Sequence, residues 1–186
     1  MSLVRRIRPL VPIRLLLASA LAFPLATAAT AATAADALPQ PKHVAIEGSK
    51  QQAAASILAA RRYAAFWNTG DESFARASLA KDFMDRTLPA GRVQGPEGPL
   101  QASRGFRMAV PDLSAEIVQL VVAGDRVSVH YRFKGHFTGR FGDVAGKGQA
   151  IDFQAFDIYR VHLGQIAENW HLEDNLTLMK QMGIVK

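Results

Sequence analysis

The chain has 186 residues, 49% hydrophobic and 20% charged, with no cysteine and a formal charge of +6. That size and balance fit one folded domain with a real core and exclude a disordered chain, a disulfide-stapled scaffold and multidomain machinery. Arg5, Arg6, Arg8 and Arg14 precede residue 35, where there is no acid, so the rest of the chain is formally only +2, a near balance that does not point to nucleic acid as a partner.

Residues 1–34 have the three parts of a secretory signal: a basic start, an apolar run from Leu15 to Ala28, and small Ala32, Thr33 and Ala34 before Ala35. Ser19, Pro24 and Thr27 interrupt the run, which is shorter than the roughly 20 apolar residues of a membrane span. Removal near Ala34 is expected, leaving no membrane segment. The Arg5–Arg6 pair sits in a poor twin-arginine context, so ordinary export to a periplasmic or secreted location is expected, with stability left to core packing. Residues 35–48, rich in Pro, Ala and Gln, read as a mobile, extended lead-in to a domain over 49–186.

From Lys50 to Asn68, the residues Ala53, Ile57, Ala60, Tyr63, Ala64 and Trp67 recur at three-and-four spacing, which predicts a helix with one apolar stripe. Asn68, Thr69 and Gly70 stop it, and Asp71 can cap a second, short helix through Leu79. A third is predicted between Pro99 and Val110, weakened by Gly105. After Pro111 the spacing changes to alternation, which predicts strands over 117–122, 127–133, 151–161 and from 165 to about 174. Gly124 and Asp125 turn the first pair, Gly164 turns the second, and a loop over 139–148 joins them. Helices first and an antiparallel sheet afterwards predict an α+β fold with the helices on one sheet face.

Within the third strand, Ile151, Phe153, Ala155, Asp157, Tyr159 and Val161 share one face. A carboxyl group in that buried row must be paired, hydrogen-bonded or raised in pKa. It is either structural, bonded to a helix end or turned outward by a bulge at Phe156, or it is an acid/base group. A three-residue loop of His162, Leu163 and Gly164 would set Asn169 opposite Asp157 and His171 on the diagonal. Asp157 could then fix the tautomer of His171 and raise its basicity for proton transfer near neutral pH. A one-residue slip would put Glu168 and Trp170 on that face instead. The five histidines show no HxH or HExxH spacing, so no metal is expected. His130 and His136 share a polar strand face with Arg132 and Lys134 that reads as solvated. No GxSxG, GxGxxG or P-loop is present to support nucleophilic hydrolysis or nucleotide binding.

The segments FWNTGD (66–71), KDFMDRTLP (81–89), PDL (111–113), AGDRV (123–127), GHFTGRFG (135–142), LGQIAENWHLED (163–174) and KQMG (180–183) together resemble the SnoaL-like polyketide cyclases, or ester cyclases. The resemblance spans nearly all of the chain after the leader. It implies the cone-shaped α+β barrel of the nuclear transport factor 2-like superfamily. It also implies an intramolecular aldol step run by an Asp with a nearby His, without cofactor or metal. The position matching that Asp is His171 and the position matching the His is Asp157, so the pair looks interchanged, while the family's nearby Gln falls on Ala155. The family's pocket Asn matches Asp85, and Asp174 matches a further acid near the last strand's end or else caps the C-terminal segment.

Three readings follow. The first is an exported, cofactor-independent enzyme that binds a small apolar carbonyl compound and shifts protons with His171 and Asp157. Its pocket would be walled by Tyr63, Trp67, Phe153, Ala155 and Tyr159, with Asn169, Asp85 and Asp174 as further polar groups. The second is a binding protein with the same cavity and no turnover. The third is a homodimer associating through Phe156, Ile158, Trp170 and Leu172 on the opposite sheet face.

Overall fold

The computed structural model describes residues 37–186. The expected export signal lies outside the described residues. Among the described residues no helix is long and apolar enough to cross a membrane.

The first element corrects the expectation of a mobile lead-in. Strand β1 (His43–Glu47) pairs in parallel with β3 (Ser114–Ala123), setting His43 beside Gln119 and Glu47 beside Ala123. The approach to it is tied down as well, since the Arg61 guanidinium donates to the carbonyls of Leu38 and Pro39. Helix α1 (Lys50–Thr69) follows and buries Ala53, Ala60, Tyr63 and Ala64, the stripe its spacing predicts. Helix α2 (Glu72–Ser78) starts where Asp71 accepts from the Ser73 amide at 2.9 Å. Strand β2 (Leu79–Asp85) then runs in parallel beside β8 (Gln165–Glu173), and helix α3 (Glu97–Ala109) closes the helical half.

The sheet order is β1-β3-β4-β7-β8-β2, where β4 is Arg126–Phe137 and β7 is Gln149–His162. The four central strands are antiparallel, as the alternation predicts, and the two edge strands are parallel. The expected loop over 139–148 contains a small ribbon, β5 (Arg140–Phe141) with β6 (Val144–Ala145), and the chain ends in helix α4 (Asn175–Gln181). This is the α+β cone. Its inner sheet face carries Val127, Val129, Tyr131 and Phe133 of β4 opposite Tyr159, Asp157, Ala155 and Phe153 of β7. The outer face leaves Phe156, Ile158 and Leu172 exposed, with Trp170 half-buried beneath the Arg126 guanidinium.

The β7–β8 hairpin differs from the expected three-residue loop. His162 pairs with Gln165, so the turn is the two residues Leu163 and Gly164, with φ of 50° and 75°. Two successive left-handed residues make the turn whose twist matches a hairpin. Alone, that turn would produce the slipped register and point His171 outward. A bulge restores the parity: Arg160 pairs with Glu168 while Val161 pairs with Ile166, which leaves Ala167 as the extra residue. Ile166 and Ala167 are consecutively buried, as two residues at a bulge can be. Beyond it Asp157 stands directly opposite His171, and Asn169 opposite Tyr159.

Candidate functional site

A cavity of about 420 Å³ opens between the inner sheet face, α1 and α3. Its wall is aromatic because many of its lining positions carry rings, among them Tyr63 and Trp67 on α1, Phe106 on α3, Tyr131 and Phe133 on β4, and Phe153 on β7. These rings support one another, Trp67 edge-on to Phe133 at 6.1 Å and Phe133 stacked on Phe153 at 5.2 Å. Gly105 belongs to the same wall, and a Cβ built there would meet nothing within 4 Å. The mid-helix glycine leaves space over the cavity.

The floor is polar. Asp157, 6% exposed, accepts from the Tyr159 hydroxyl at 2.8 Å and from Asn169 Nδ2 at 3.1 Å. Because the Tyr159 proton is committed to Asp157, the 2.9 Å contact between Tyr131 and Tyr159 has Tyr131 donating. Both bonds to the carboxyl group fall on Oδ2, and among the described residues Oδ1 accepts none. The His171 side chain is 8% exposed, with Nδ1 2.6 Å from Glu173 Oε1 and Nε2 3.1 Å from Asp85 Oδ2. The expected direct bond between Asp157 and His171 is therefore absent. The two stand side by side and interact through charge. Asp85 is fixed in turn by the Thr87 amide at 2.9 Å.

These surroundings set the ionisation. Burial pushes Asp157 up to about 6, against the opposing pull of the nearby His171 charge and the bond from Tyr159. For His171, burial alone would lower the pKa. The hydrogen bond and charge of Glu173, then Asp85 and Asp157, outweigh it and raise the imidazole to about 9. Glu173 is held below the usual carboxylate range because the bond and charge of His171 outweigh its burial. Burial, then the Asp157 charge, keeps Tyr63, Tyr131 and Tyr159 neutral. At neutral pH the floor is a largely ionised carboxylate beside an imidazolium. Asp157 adds to the basicity of His171 through its charge, as expected, but Glu173 and Asp85 rather than Asp157 hold the two ring nitrogens.

Of the other expected pocket residues, Tyr63, Trp67, Asp85, Phe153, Ala155 and Asn169 line the cavity. Tyr159 lies behind the lining and acts through Asp157. Asp174 is outside it and caps α4, accepting from the Thr177 amide at 3.0 Å and its hydroxyl at 2.7 Å. Sequence reasoning missed Glu173 and Arg92. Glu173 carries a readable signal, since Asn169, His171 and Glu173 alternate along one strand face; Arg92, in the loop after β2, carries none.

The sequence pattern of the SnoaL-like polyketide cyclases matches residues 57–182. The chain belongs to this family. A solved candidate polyketide cyclase from Bacillus cereus is 41% identical, covering 81% of this chain and 96% of its own, with a TM-score of 0.73. TsrD from Streptomyces laurentii is 25% identical over 75% of this chain and 100% of its own, with a TM-score of 0.65. IdmH from Streptomyces antibioticus, another candidate polyketide cyclase, is 25% identical over 67% of this chain and 98% of its own, with a TM-score of 0.60. A search of curated proteins found no match. The SnoaL-like fold is thus shown along with the nuclear transport factor 2-like cone, and the Asp157–His171 floor stands on its sheet.

Proposed function

We propose that this SnoaL-like protein binds a small, largely apolar carbonyl compound in the cone and removes a proton from the carbon next to its carbonyl. Asp157 is the base and His171 the acid. One observation carries the reading: a buried carboxyl whose Oδ1 accepts no bond among the described residues stands beside an imidazole flanked by two further carboxyl groups on the floor of an aromatic cavity. A base whose pKa lies near the working pH has both the right protonation state and useful driving force. Asp157 Oδ1 takes the proton, and the electron pair moves onto the carbonyl oxygen as an enolate. His171 Nε2–H, whose bond to Asp85 is the longer of its two, shifts to that oxygen and stabilises the charge. The enolate carbon then attacks a second carbonyl of the same molecule, closing a ring whose new alkoxide takes the proton held by Asp157, or it recovers that proton at a new position.

The test is deuterium uptake from D2O into the acetyl group of methyl 6-acetyl-2-naphthoate, followed by NMR. Uptake is expected to exceed the buffer rate, to vanish in Asp157→Asn and to fall in His171→Gln, with all three proteins folded. Equal uptake in the native protein and Asp157→Asn would reject the assignment. A second reading, binding without turnover, is favoured by the engagement of both His171 nitrogens with carboxyl groups. Binding of the ester with no uptake would establish it.

A further inference from the structure

We infer that the ligand is a carbonyl acid: its neutral carbonyl lies over Asp157, and a carboxylate elsewhere on it is held by Arg92 in the cavity wall. This rests on the cavity reading above and adds the charge of the ligand to it. Arg92 lies in the loop between β2 and α3, lines the cavity and is half-buried. The loop holds it in place. Gln94 Oε1 accepts from the Asp85 amide at 2.7 Å and its Nε2 donates to the Asp85 carbonyl at 2.9 Å, while the Arg92 amide donates to Pro89 at 3.1 Å. The Arg92 stem runs along the first turn of α3, where a Cβ at Gly98 would sit 3.5 Å from its Cγ and 3.6 Å from its Cδ.

The guanidinium has no hydrogen bond or ion pair among the described residues, although Arg86, Arg104, Arg132 and Arg160 each reach a carboxyl group. The nearby acids are engaged elsewhere: Glu173 with His171, Asp85 with Thr87 and His171, and Asp157 with Tyr159 and Asn169. Arg92 nonetheless acts on the cavity, since its charge favours the ionised form of Glu173. A half-buried planar fork of donors without an acceptor matches a carboxylate. The floor fixes the direction of the ligand. Asp157 repels an anion and Arg92 attracts one, so the carboxylate lies at Arg92 and the neutral carbonyl at Asp157.

The test compares 6-acetyl-2-naphthoate with its methyl ester by calorimetric titration of the native protein, Arg92→Met and Arg92→Lys, with folding checked by circular dichroism. A charge-assisted pair of this kind is worth roughly tenfold or more in affinity, so the native protein is expected to favour the acid by at least about that factor. Arg92→Met should erase the preference and leave the ester unchanged, Arg92→Lys should retain part of it, and added salt should weaken only the acid. No acid preference in the native protein, or a preference that survives Arg92→Met, would overturn the role of Arg92 while leaving the cavity reading intact. Equal weakening of both probes would make Arg92 a wall residue and overturn it too. Binding of neither probe would end both readings.

Discussion

In the proposed reaction Asp157 is assigned as the base and His171 as the acid because their neighbours differ, not because their intrinsic chemistry demands it. Asp157 is buried, and that cost to its charged form outweighs the charge of His171 and the two hydrogen bonds from Tyr159 and Asn169, so the uncharged form gains. His171 sits between two carboxyl groups, so the charged form gains despite burial. The expected consequence is a bell-shaped dependence of kcat/KM on pH, rising through about 6 as Asp157 ionises and falling through about 9 as His171 loses its proton. His171→Gln should keep reduced activity and lose the alkaline fall. A profile still falling near 9 in that variant would assign the upper limb to another group. Sequence alone exposes Asp157 as the carboxyl group in an apolar row, but not the second partner of the imidazole. Asp85 arrives from a strand 86 residues away in sequence, and no local pattern encodes that approach.

At the scale of elements, what was legible is what repeats. The stripe on α1 and the alternation on β4 and β7 are each enforced by a buried face. Strand β1 escapes the same reading because an edge strand has little burial to enforce a pattern, four of its five residues being exposed, and β2 because its buried Leu79, Phe83 and Asp85 do not alternate regularly. Helix α4 escapes it because seven residues are too few to show a period. The register of the β7–β8 hairpin depends on Leu163 adopting a left-handed backbone and on Ala167 being extra, both without a firm signature in the residues. The inward placement of His171 expected from a three-residue loop is reached by a different route, a shorter turn plus a bulge. Gly105 is the element where helix stability and cavity shape conflict. Gly105→Ala should stabilise α3 by roughly 0.5–1 kcal/mol, since no left-handed backbone and no neighbour opposes a Cβ there. Urea denaturation checks this; a loss of stability would mean that the space over Gly105 is filled in solution.

For the whole molecule, the floor of the cavity sets how stability depends on pH. The Asp157 pKa is raised in the folded state from an ordinary 3.8 to about 6, so its ionisation opposes folding. The opposition is absent below 3.8, grows as pH rises towards 6 and is constant above, where it amounts to about 3 kcal/mol at most. The His171 pKa is raised from 6.5 to about 9, so its contribution is favourable, fully present below 6.5 and lost as pH rises through 9. Asp157→Asn keeps an oxygen to accept from Tyr159 and Asn169 and removes the buried charge. It should therefore be more stable than the native chain by roughly 1–3 kcal/mol above pH 6, after some loss of attraction to His171, with the difference closing below about pH 4. Urea midpoints at pH 4 and pH 8 measure the two limits. If Asp157→Asn were the less stable protein at pH 8, the carboxylate would be gaining more from its hydrogen bonds and from His171 than burial costs it. It would then be a structural anion rather than a base held ready at the expense of the fold.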